Sequence, residues 1–72
     1  MDNQDLVKVC ESTHGTAISE QLEAVLSGEG MDDQNNNALS LIAKFLRKYA
    51  KKYDNEEWSD LADEIDRYLK EP

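Results

Sequence analysis

Apolar residues recur at helical spacing in four stretches of the chain, and short polar segments rich in glycine and asparagine separate them. Leu6, Val7 and Cys10 stand at i, i+1 and i+4 and predict a helix over residues 3–12, with Asp2 and Asp5 at the end where the helix dipole favours anions. Val7 and Val9 would also suit a strand, and residues 12–15 break the pattern. Ile18, Leu22, Val25 and Leu26 give a cleaner face over residues 16–27, with Thr16 as the expected N-cap and Gly28 and Gly30 as terminators. Residues 28–37 read as a polar linker or a frayed helix start.

The third stretch is the longest. Ala38, Leu39, Ile42, Phe45, Leu46, Tyr49 and Tyr53 form a wide apolar stripe, with Asp32 or Asp33 as candidate caps. The fourth, over residues 55–70, carries Trp58, Leu61, Ala62, Ile65 and Leu69 at i, i+3, i+4, i+7 and i+11, and Asp54 and Glu57 have capping-box spacing. Asp63 with Arg67 and Asp66 with Lys70 stand at the i,i+4 spacing of stabilising pairs. Only Asp54-Asn55 separates the last two helices, which predicts an αα-hairpin with Phe45, Tyr49, Trp58 and Ile65 in its seam. The expected fold is all-α: a compact bundle of three to four helices in one small domain, 1–72.

Length changes this picture in one respect. A 72-residue domain buries only about 60% of its unfolded surface, so the core is thin and a staple or a partner is the usual remedy. Cys10 is the only cysteine, which excludes an internal disulfide. A partner chain remains as a source of further burial, a second copy in a homodimer among the candidates.

Charge changes it more. Sixteen acids against eight bases leave −8, which repels nucleic acid and anionic membranes at long range and attracts basic protein surfaces. The charge is segregated. Residues 1–33 hold eight acids and one base, residues 38–53 five bases and no acid, and residues 54–72 eight acids and two bases. A basic helix flanked by acidic segments is first of all a device for choosing helix neighbours. Beyond that, Glu56, Glu57, Asp60, Asp63 and Glu64 lie on one polar side of the fourth helix. Carboxylates spaced along a rigid helix imitate a run of phosphates and suit a basic groove.

No stretch has the ~20 apolar residues of a membrane span. The start, Met1-Asp2-Asn3-Gln4-Asp5, has neither the basic region nor the apolar run of a secretory signal, and with one unpaired thiol a cytoplasmic location is expected. Candidate chemistry is sparse. Asp33-Gln34-Asn35-Asn36-Asn37 resembles the opening of a calcium loop, but Ala38 stands where the sharp turn needs glycine and Lys44 where a bidentate glutamate belongs. Cys10 and His14 share a helical spacing, yet zinc needs further ligands and a nucleophilic thiol needs an oxyanion site, and the sequence marks neither. No metal, cofactor or catalytic residue is expected: Cys10 reads as a small core residue and His14 as a polar turn residue. Residues 5–28 have the outline of a helix-turn-helix, but the second helix carries Glu20 and Glu23 and no base, a poor reader of DNA.

The expected function is that of a non-enzymatic protein-interaction module whose acidic face, Glu56, Glu57, Asp60, Asp63 and Glu64, engages a basic surface of a target, including one that binds nucleic acid. Its size and charge match the profile of small inhibitors such as phage anti-defence proteins, antitoxins and immunity proteins. The alternative is a nucleic-acid-associated regulator that uses the basic helix 38–53 through Lys44, Arg47, Lys48, Lys51 and Lys52, interleaved with aromatics. The flanking acids disfavour direct nucleic-acid binding.

Overall fold

The computed structural model describes residues 1–28 and 35–70. They form four helices, α1 (Asn3–His14), α2 (Thr16–Leu26), α3 (Asn36–Tyr53) and α4 (Glu56–Lys70), with no strand among the described residues. The fold is all-α. The chain divides into two compact units, Met1–Gln34 and Asn35–Pro72, each a pair of helices packed on one another.

In the first unit a capping box starts α1. The Asp2 carboxylate accepts from the Asp5 amide at 2.9 Å, and the Asp5 carboxylate accepts from the Asp2 amide. The amide donor favours the charged carboxylate and holds Asp2 below its ordinary range. Its capping contribution is therefore complete above about pH 4 and is lost as pH falls through the depressed value.

The helix runs through Ser12 and Thr13 to His14, past the break the polar residues suggest, and stops at Gly15. Gly15 has φ 96° and ψ 170°, its amide donates to the Glu11 carbonyl at 2.9 Å, and its carbonyl accepts from the Ser19 amide at 3.1 Å. One residue thus ends α1 and begins α2, and the expected Thr16 cap is replaced by Gly15 with no side-chain cap. The reason is steric. The chain turns within one residue at a conformation open only to glycine, leaving Thr16 inside the first turn. Leu6 and Cys10 of α1 and Leu22 and Val25 of α2 are buried. Ser19 is buried as well, and its hydroxyl donates to the Thr16 carbonyl at 2.8 Å.

Gly15→Ala is expected to cost about 1–3 kcal/mol. Nothing lies within 4 Å of a Cβ built there, so the penalty is backbone strain alone. A synthetic chain with D-alanine at this position, which favours positive φ, should melt close to the parent. Equal melting temperatures for the L- and D-alanine chains would contradict this account.

In the second unit Asn35 caps α3, its side chain accepting from the amides of Asn37 at 2.8 Å and Ala38 at 3.2 Å. Asp32 and Asp33, the expected caps, lie outside the described residues, as do 29–34 of the span read as linker or frayed start. Asn36 and Asn37 of that span are the first turn of α3.

The α3–α4 hairpin forms as expected, but its turn is built one residue out of the expected register. Asp54 adopts the left-handed conformation, φ 53° and ψ 48°, and the Asn55 amide donates back to the Ala50 carbonyl at 2.9 Å. This six-to-one bond closes α3. Asp54 is thereby used as a C-terminal turn residue, so Asn55, not Asp54, caps α4, with its side chain accepting from the Trp58 amide at 3.2 Å. Phe45, Trp58 and Ile65 are buried and Tyr49 is half-buried. Buried Ala43, Ala50 and Ala62 keep bulk low along the two helices.

Candidate functional site

The second unit carries the charged residues singled out by the sequence. Helical geometry, about 100° and 1.5 Å per residue, places Glu56, Glu57, Asp60, Asp63 and Glu64 within an arc of about 120° on α4, over about 12 Å of its axis. All five are exposed, on the side away from Trp58, Ala62 and Ile65. Arg67 falls inside the same arc and is exposed too.

The five are not equivalent. Arg47 of α3 reaches Asp63 at 2.7 Å and Asp66 at 2.8 Å. The i,i+3 spacing of the two aspartates turns both carboxylates toward one guanidinium, whose pKa is raised first by the bond it donates to Asp63 and then by the one it donates to Asp66. These contacts take the aspartates away from the i,i+4 pairs with Arg67 and Lys70 that their spacing suggests. The clamp joins the two helices, but its charges are 48%, 61% and 37% exposed in the order Arg47, Asp63, Asp66. A pair of that exposure contributes at most about 1 kcal/mol. Among the described residues Glu56, Glu57, Asp60 and Glu64 enter no ion pair. They leave four carboxylates, roughly one per 3 Å of helix, against ~3.4 Å per phosphate along one nucleic-acid strand.

Lys44, Lys48, Lys51 and Lys52 are exposed on α3 and likewise enter no ion pair among the described residues. Phe45, Tyr49 and Tyr53 stack at i,i+4 spacing, with ring centroids 4.7 and 6.1 Å apart, the second pair nearly parallel. The Lys48 ammonium lies 5.8 Å from the centre of the Tyr49 ring, and that of Lys52 5.7 and 5.6 Å from Tyr49 and Tyr53. The ladder runs from core to solvent: Phe45 is buried, Tyr49 half-buried, Tyr53 43% exposed. The sequence showed bases and aromatics interleaved but not that lysines cover the rings. It did not mark Asp66 as part of the clamp, although the i,i+3 step beside a short hairpin turn is a usable signal.

Cys10, in the first unit, is buried, and burial raises its thiol pKa. Among the described residues no three of His, Cys, Asp or Glu come together as metal ligands, and no helix is long and apolar enough to cross a membrane. With little thiolate and no access, Cys10 is expected to resist alkylation by iodoacetamide at neutral pH in the folded protein and to react at once in denaturant. Equal rates in the two states would put the thiol on the surface.

Compared with models of protein families, with curated proteins and with solved structures, the chain matches none.

Proposed function

We propose that this protein is a non-enzymatic binding module that engages a basic surface of a partner protein through the exposed face of α4. The observation that carries this is the free carboxylate stripe. Glu56, Glu57, Asp60 and Glu64 stand on one face of a capped helix at roughly the spacing of strand phosphates, and none is consumed by an internal ion pair among the described residues. Preorganisation matters here, because side chains on a packed helix lose less freedom on binding than those on a loop. A groove that binds a phosphate backbone is the kind of surface such a stripe fits, so the module would act as a competitor of nucleic acid, in the manner of a small inhibitor. A cytoplasmic setting suits its reduced, buried thiol.

The test is affinity capture from cell lysate with the parent chain and with the double variant Asp60→Lys/Glu64→Lys. Both positions are exposed and mid-helix, so the fold should survive, as circular dichroism would verify. Proteins retained by the parent should carry basic surfaces, should elute as salt rises from about 0.1 to about 1 M, and should be lost with the variant. A retained set that charge reversal and salt leave unchanged would overturn the proposal.

A further inference from the structure

The lysine face of α3 has a partner available in the chain's own chemistry. Lys44 and Lys52 are eight residues apart, about 12 Å along the axis, and Glu56 and Glu64 have the same separation. The hairpin thus carries two rigid stripes of equal length and opposite sign, both exposed. Lys44, Lys48 and Lys51 lie on the polar side of α3 with Lys52 at the border of its buried face, and the carboxylates lie on the side of α4 away from Trp58, Ala62 and Ile65. Among the described residues no ion pair joins the two stripes within one hairpin. The Arg47 clamp is, among the described residues, the ion-pair link between α3 and α4. Lys48 and Lys52 are further held in place over Tyr49 and Tyr53, and the partly exposed Tyr53 ring gives the basic stripe an apolar end.

We propose that the α3 stripe, Lys44, Lys48, Lys51 and Lys52, docks on the α4 acidic stripe of a second copy. The contact joins two different surfaces, so two copies can exchange both contacts across a two-fold axis or propagate head to tail, and either arrangement pairs lysine stripe with carboxylate stripe. Charge favours it within the second unit, where residues 35–72 hold eight acids and seven bases. The overall −8 opposes it at long range. At about 0.1 M salt the screening length is ~10 Å, which weakens that long-range repulsion while leaving touching stripes attracted; at 1 M, ~3 Å, the stripes themselves are screened.

Sedimentation equilibrium of the purified chain tests this without any foreign partner, so it can fail while partner binding by α4 stands, and the reverse. The average mass should rise with protein concentration at about 0.1 M salt and should fall back to the monomer at about 1 M. Lys44→Glu/Lys48→Glu and Asp60→Lys/Glu64→Lys should each be monomeric and helical, and mixing the two should restore association. The neutral pair Lys44→Gln/Lys48→Gln guards against misfolding and should weaken association at least about tenfold, since each lost contact between opposite charges removes attraction. A parent chain monomeric at every concentration, or reversed variants that fail to rescue one another, would overturn the proposal.

Discussion

Replacing Trp58 by alanine is expected to lower the thermal midpoint of the helical signal by at least about 12 °C. The side chain is 1% exposed and is the largest fully buried one in the protein. Removing a buried tryptophan costs about 3–5 kcal/mol, the lost transfer energy plus the cavity left behind. A chain of this length has only about 4–11 kcal/mol in total, and each kcal/mol moves the midpoint of a small domain by about 4–8 °C. The loss also reaches the start of α4. Trp58 supplies the amide that Asn55 caps, so the residue that fills the core is one turn from the hairpin closure. Trp58→Phe should retain part of the burial and lose correspondingly less. The check is a far-ultraviolet dichroism melt of the three chains; a shift of only a few degrees for alanine would mean that the site collapses around the smaller side chain.

Leu22→Ala is the corresponding experiment in the first unit. Leu22 is 0% exposed, on a helix with no side-chain cap and no basic residue in its last turn. Neither capping nor dipole compensation supports α2, so its place depends on Leu22, Val25 and Ser19. The expected cost is about 2–5 kcal/mol. Cys10, buried in the same unit, supplies a local readout. If alkylation proceeds through opening of the unit, a loss of ~2 kcal/mol or more raises its rate more than tenfold, since 1.4 kcal/mol corresponds to a factor of ten. Ile18→Ala, at a half-buried position, should raise it less. An unchanged rate for Leu22→Ala would mean that Cys10 is reached without opening the unit.

The two charged stripes gain in definition from the same geometry. A sum of −8 describes a protein that repels polyanions everywhere, whereas the hairpin places a lysine face on one helix and a carboxylate face on the next. Asp63, at first one of five equivalent carboxylates, is bound to Arg47, and Arg47, at first one of five equivalent bases, is bound to Asp63 and Asp66. What stays outside ion pairs among the described residues is a stripe of four charges on each helix, and these are the surfaces on which the proposed partner binding and self-association rest.

Much of this was legible in the residues alone. The four helices, the hairpin of the last two and the burial of Leu6, Leu22, Ile42, Phe45, Trp58 and Ile65 follow from apolar spacing, because a helix places residues i, i+3 and i+4 on one face whatever surrounds it. The exposed sides of α3 and α4 follow in the same way. The caps were misplaced by one residue at Gly15 and Asn55, since a cap is set by how sharply the chain turns, and two helices that share a one- or two-residue connection compete for it. The pairing of Arg47 with Asp63 and Asp66 belongs to the tertiary structure alone. Along the sequence, Arg67 and Lys70 stand nearer to those aspartates. Only the packing of α3 on α4 brings the Arg47 guanidinium within 2.7–2.8 Å of both, and a guanidinium that meets two carboxylates at once outcompetes single neighbours one helical turn away.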